Sequence, residues 1–127
     1  GVTDLDATRA AVAAAKGVPV FKSLEEMIAR GRPDVVSVLT PSGDHPERVI
    51  ELARHGVHVI VEKPMALRLE DADRMIEACD RAGVKLFVVK QNRYNRPVRR
   101  LREAVEAGRF GKMVLGTVRV RWCRDQS

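Results

Sequence analysis

Val57-His58-Val59-Ile60-Val61-Glu62-Lys63-Pro64 is an apolar run that stops abruptly at an acid, an amine and a proline. Such a run reads as a parallel β-strand buried on both faces, because a strand covered on both sides has no reason to alternate. Ligands on parallel sheets bind beyond the carboxyl ends of the strands. Lys63 is therefore a catalytic candidate by position alone, expected to lose part of its solvent shell. Pro64 biases Lys63 toward extended backbone and so holds the amine in place. Glu62 is placed to hydrogen-bond a ligand. An ordinary surface lysine fits the same eight residues equally well.

A glycine junction recurs around this strand: Lys16-Gly17-Val18, His55-Gly56-Val57 and Ala82-Gly83-Val84. In each, glycine follows a helical pattern and precedes a β-type run, as when it takes the left-handed position that ends a helix. The spacing is too irregular for a solenoid, which leaves alternating helix and strand units. Gly1 to Asp4 reads as the end of a strand, followed by a helix from Asp6, its N-cap, to Lys16. Ser23 to Glu26 matches a capping box that opens a short helix closed by Gly31. Val35 to Leu39 is a strand, Thr40 to Asp44 a polar loop, and Asp44 or His45 caps a helix with Pro46 in its first turn.

Beyond Pro64 a helix is expected over 69–82, with Leu69, Ala72, Met75, Ile76 and Cys79 on one face. Lys85 to Val89 is the next strand, and Asn95 caps a helix that ends at Gly108. Met113 to Trp122 then alternates like an antiparallel strand with one wet face. The change of pattern places a domain boundary near Gly108 to Lys112. The first strand of the second domain needs partners, so the chain reads as a piece of a longer protein.

The chain has 127 residues, 45% of them hydrophobic and 31% charged, which suits one ordinary globular domain. No apolar run approaches the ~20 residues of a membrane span, and no signal peptide is evident. The expectation is a soluble, cytoplasmic protein with no membrane partner. Cys79 and Cys123 lack metal-ligand spacing and read as reduced thiols, and His45, His55 and His58 form no HxxxH pair, so no metal site is expected. Charge is uneven: residues 1–84 hold 11 Lys/Arg against 14 Asp/Glu, whereas 85–127 hold 12 against 3. The excess in the second part suggests an anionic partner, nucleic acid or a phosphorylated small molecule.

Three further segments carry chemistry. Asp4 stands at a strand tip before a helix, where a dinucleotide-binding fold places its ribose-binding acid; its charge would repel a 2′-phosphate and favour NAD over NADP. That acid normally follows a GxGxxG loop by about 20 residues, and no GxGxxG occurs here. Thr40-Pro41-Ser42-Gly43-Asp44-His45 brings hydroxyls and backbone N–H groups to a helix N-terminus, a place that suits an anion, although a generic turn has the same composition. Lys90-Gln91-Asn92-Arg93-Tyr94-Asn95-Arg96 follows another strand, and its bases and amides suit phosphate or carboxylate.

In order along the chain, V-S-V-L-T-P-S-G-D-H, V-H-V-I-V-E-K-P and Q-N-R-Y-N resemble the Gfo/Idh/MocA family of NAD(P)-dependent oxidoreductases. The resemblance implies an α/β fold: residues 1–110 as a Rossmann-type parallel sheet with helices, truncated by its first βα unit, and 111–127 as the start of a substrate and oligomerisation domain. It implies that Asp4, Thr40, Ser42, His45, Glu62, Lys63 and Gln91 bind NAD. Lys63 would be catalytic, and Lys63, Asn92, Arg93 and Tyr94 would meet the substrate. The stretch from Val88 through Gln126 is similar to family members that oxidise the 3-hydroxyl of UDP-N-acetylglucosaminuronic acid, which implies a nucleotide-sugar substrate and a homo-oligomer, dimer or tetramer. Another sugar or inositol dehydrogenase, a dinucleotide sensor without turnover, and a nucleic-acid-binding module are the alternatives. The last lacks any RNP-like or KH pattern.

Overall fold

The computed structural model of the chain describes residues 1–123 and 125. In chain order the elements are α1 (Ala7–Ala15), α2 (Leu24–Glu26, continuing as a π-helical turn Met27–Gly31), β1 (Val35–Val38), α3 (His45–Arg54), β2 (His58–Val61), α4 (Leu69–Ala82), β3 (Leu86–Val88) and α5 (Arg96–Glu106). Short 3-10 turns lie at Ser42–Asp44 and Gln91–Tyr94. The chain forms two compact units, Gly1–Val89 and Lys90–Ser127. That division lies ahead of the boundary expected near Gly108 to Lys112.

In the first unit β1, β2 and β3 form a parallel sheet in that order, with Val36 opposite Val59 and Val59 opposite Leu86. Parallel neighbours need a crossover, and α3 and α4 supply the two that this sheet uses. α3 packs against α4 and against β1 and β2. The core is built where they meet: Val49 and Leu52 of α3, Val59 and Val61 of β2, and Met75 and Cys79 of α4. Each large apolar side chain withdrawn there stabilises the unit by about 1.5–3 kcal/mol. Burial also pushes the Cys79 thiol pKa upward, with Asp80 adding to the shift.

β2 is not covered on both faces as the unbroken apolar run suggested. Val59 and Val61 are buried, His58 is exposed and Ile60 is half-buried, because the core helices share the face to which Val59 and Val61 point. α4 corrects a second expectation. Its bounds match, but Leu69 is 82% exposed and Ile76 46%, so the buried stripe narrows to Met75 and Cys79, one turn apart.

Helix ends follow local chemistry closely. Gly17, Gly56 and Gly83 all take positive φ, as the recurring junction predicted. At Gly56 the chain closes α3 with the Val57 N–H donating to Leu52 O at 3.2 Å, and Val57 is then buried against the core. Asp6 caps α1, its Oδ1 accepting from Thr8 N–H at 2.8 Å. Ser23 Oγ accepts from Glu26 N–H at 3.2 Å, while the Glu26 carboxylate reaches back to Lys22 N–H at 2.7 Å.

Three caps depart from expectation. The left-handed residue after α2 is Arg32, at φ 43°, rather than Gly31; the wider π-helical turn takes in one more residue before the chain reverses. Asp44 and Asn95 occupy N-cap positions without a side-chain cap, and the Asn95 amide donates to Asn92 Oδ1 instead. Residues 113–122 join no β-ladder among the described residues, although their alternation predicts a strand. A strand exists only as part of a ladder with a neighbouring strand, whatever its own alternation. Of residues 111–127, expected to open a second domain, Arg124, Gln126 and Ser127 lie outside the described residues. No helix among the described residues is long and apolar enough to cross a membrane.

Candidate functional site

Parallel pairing brings the loops after β1 and β2 to the same edge of the sheet. The Glu62 N–H donates to Val38 O at 3.1 Å, so the chain leaves β2 directly beside the end of β1. Thr40-Pro41 follows one strand and Glu62-Lys63-Pro64 the other, with a cis Lys63–Pro64 peptide. α3 begins at this edge, and its first residue, His45, is 1% exposed. The His45 Nε2 lies 2.9 Å from Thr40 O and Nδ1 lies 2.9 Å from Pro64 O. One buried imidazole thus bridges the two loops.

Lys63 lies exposed at the end of β2, not in a desolvated niche, because the first unit covers only one face of the strand. Its backbone N–H donates to Glu62 Oε2 at 2.8 Å, which folds the Glu62 carboxylate back onto the loop. Thr40 is exposed and Ser42 half-buried, in the 3-10 turn that Asp44 N–H closes on Pro41 O at 2.9 Å. Both hydroxyl residues therefore border the loop that His45 secures.

Asp4 stands elsewhere in the first unit, beyond a parallel bridge between Val2 and Val20. Its exposed carboxylate accepts from Asp6 N–H at 2.8 Å. Next to it, the N–H groups of Thr8 and Arg9 hold the Asp6 carboxyl below its ordinary pKa. Gln91, Asn92, Arg93 and Tyr94 belong to the second unit, where they form one exposed 3-10 turn ahead of α5. A hollow of about 320 Å³ opens at the amino ends of β1 and β2, lined in part by Arg32, Asp34, His55 and His58, away from Lys63. Among the described residues, no three His, Cys, Asp or Glu side chains gather as a metal site.

A three-stranded parallel sheet with chemistry at its carboxyl edge is the frame of a nucleotide-binding fold. Residues 1–90 match the GFO_IDH_MocA family, an oxidoreductase family with an NAD-binding Rossmann fold. The chain belongs to the Gfo/Idh/MocA family. It is 50% identical to a WlbA dehydrogenase from Bordetella pertussis solved in complex with NADH and UDP-GlcNAcA, at a TM-score of 0.80 over 87% of this chain and 32% of that one. It is 33% identical to the UDP-N-acetylglucosamine 3-dehydrogenase GnnA from Acidithiobacillus ferrooxidans, at a TM-score of 0.76 over 82% of this chain and 34% of that one. A myo-inositol 2-dehydrogenase from Thermotoga maritima is 41% identical over 92 residues, 72% of this chain and 28% of that protein. The chain spans about a third or less of the length of these relatives.

The donor set of this Gfo/Idh/MocA chain fits a dinucleotide. Asp4 has carboxylate oxygens of the kind that suit ribose hydroxyls, Thr40 and Ser42 have hydroxyls, and Lys63 has a cation at the sheet edge. His45 was expected among these contacts, yet both of its ring nitrogens face backbone carbonyls. Sequence reasoning missed that arrangement. The signal was present: His45, Val49, Leu52 and Ala53 form one buried helical stripe, and a polar residue in an apolar stripe needs internal partners.

Proposed function

We propose that the whole protein is an NAD-dependent dehydrogenase that removes hydride from C3 of UDP-N-acetylglucosaminuronic acid, leaving a 3-keto sugar. The observation that carries this reading is the 50% identity to a dehydrogenase solved with NADH and UDP-GlcNAcA. The bound NAD supplies the hydride acceptor. Asp4 binds the adenosine ribose, and Thr40, Ser42, Glu62 and Gln91 border the cofactor. The Lys63 ammonium donates a hydrogen bond to the reacting hydroxyl oxygen and favours the negative charge that grows there as its proton passes to a general base. Asn92, Arg93 and Tyr94 meet the diphosphate and carboxylate, anions suited to the basic segment after residue 84. Residues 111–127 open the substrate domain.

Lys63→Met in the full-length protein should lower turnover of UDP-N-acetylglucosaminuronic acid by roughly 10²- to 10⁴-fold. NAD binding, followed by fluorescence titration, should persist. Unchanged turnover would remove Lys63 from the mechanism. A second reading, an inositol dehydrogenase, rests on the 41% identity to the Thermotoga maritima enzyme. The same assay separates the two, since turnover of myo-inositol but not of the nucleotide sugar would replace the first substrate with the second.

A further inference from the structure

The most deeply buried polar side chain of the first unit, His45, is not spent on a ligand. It is 1% exposed, and its two ring nitrogens each stand 2.9 Å from a backbone carbonyl, Thr40 O on the loop after β1 and Pro64 O on the loop after β2. Those loops follow different strands, and the two residues at the far ends of the bridge are 24 positions apart. Glu62 N–H to Val38 O joins the strands themselves at this edge, and the His45 ring stands within hydrogen-bond distance of both loops beyond them. A neutral imidazole carries one N–H and donates to one carbonyl at a time, so full engagement of both needs both nitrogens protonated. Removing the ring takes away the group that both carbonyls face.

We infer that His45 is a positioning residue: it ties the Thr40 loop to the Lys63-Pro64 loop and so sets where the Lys63 amine stands relative to the cofactor-bordering hydroxyls. The role rests on the proposed part of Lys63 in hydride transfer. It differs from a cofactor contact, because no ring nitrogen remains for one. It also differs from ordinary core packing, because the carbonyls it holds belong to the functional edge rather than to the sheet. Reaction geometry is sensitive to such support, and a displacement of about 1 Å can cost roughly 100-fold in rate.

The test uses the full-length protein with two substitutions. His45→Phe keeps an aromatic ring of similar volume and removes both tethers, while His45→Gln keeps one donor and guards against a Phe variant that fails to fold. Amide hydrogen exchange is read on peptides covering 39–44 and 62–67, and kcat and KM on UDP-N-acetylglucosaminuronic acid. Met75→Ala, an equally buried change in α4, serves as the control for general loosening. The expected result is faster exchange in both loops, a fall in kcat of roughly 10- to 100-fold with KM for NAD little changed, and partial recovery in His45→Gln. Met75→Ala should leave kcat near that of the parent. Unchanged exchange in the two loops overturns the tether, and faster exchange with parental kcat overturns the positioning role. If Lys63→Met retained full turnover, the reading of Lys63 would fall, and the exchange measurement would still decide the tether.

Discussion

Lys63 and His45 share one edge of the sheet, and their environments are opposite. Lys63 is exposed and its side chain is available to a ligand, whereas His45 is sealed, with its ring nitrogens facing Thr40 O and Pro64 O. The difference follows from position: Lys63 lies past the last buried residue of β2, while His45 continues the apolar stripe of α3 into the core. Asp6 gives a titratable counterpart away from that edge. The N–H groups of Thr8 and Arg9 lower its pKa from the ordinary 3.8, and its neighbour Arg9 adds to the shift. A carboxyl lowered in the folded state contributes stability that is present above its unfolded pKa and lost as pH falls through the folded one. The start of α1 should therefore fray below about pH 4. Asp6→Asn, which can still accept a hydrogen bond, should flatten that dependence. The Thr8 amide chemical shift, followed through an acid titration, checks this; an identical profile in the variant would exclude Asp6 as its source.

Among the elements, α3 is the one that organises the rest. Its middle, Val49 and Leu52, forms the core with β2 and α4; its start carries His45; its end turns at Gly56 into β2. Gly56 has φ 73°, and a Cβ there would meet nothing within 4 Å. Gly56→Ala thus isolates backbone strain from crowding, and it should cost about 1–2 kcal/mol, measured by urea denaturation. A loss near zero would mean that the turn relaxes and that the left-handed conformation is not required to enter β2. Such junctions were readable in advance because they depend on three or four consecutive residues. The missing side-chain caps of Asp44 and Asn95 were not, since Asp44 already has helical rather than extended backbone and the Asn95 side chain is bonded to Asn92.

Across the molecule, burial is concentrated in the first unit. α4 places Met75 and Cys79 in the core, whereas α5, in the second unit, buries none of its residues and leaves Leu101 55% exposed. Backbone amides in the middle of α4 should therefore exchange at least about 100-fold more slowly than those of α5 in this chain. Equal protection would show that the second unit is held by interactions other than apolar burial. The family, the parallel strands, the helix bounds of α4 and the glycine junctions were legible in the order of residues, because hydrophobic periodicity and left-handed turns are local properties. Lys63 was legible for the same reason, as the residue that ends a strand. Which face of β2 is covered, the exposure of Leu69 and Ile76, the absence of a β-ladder at 113–122 among the described residues and the His45 bridge between Thr40 and Pro64 were settled by the folded chain. Each depends on a partner distant in sequence, and only packing determines whether that partner arrives.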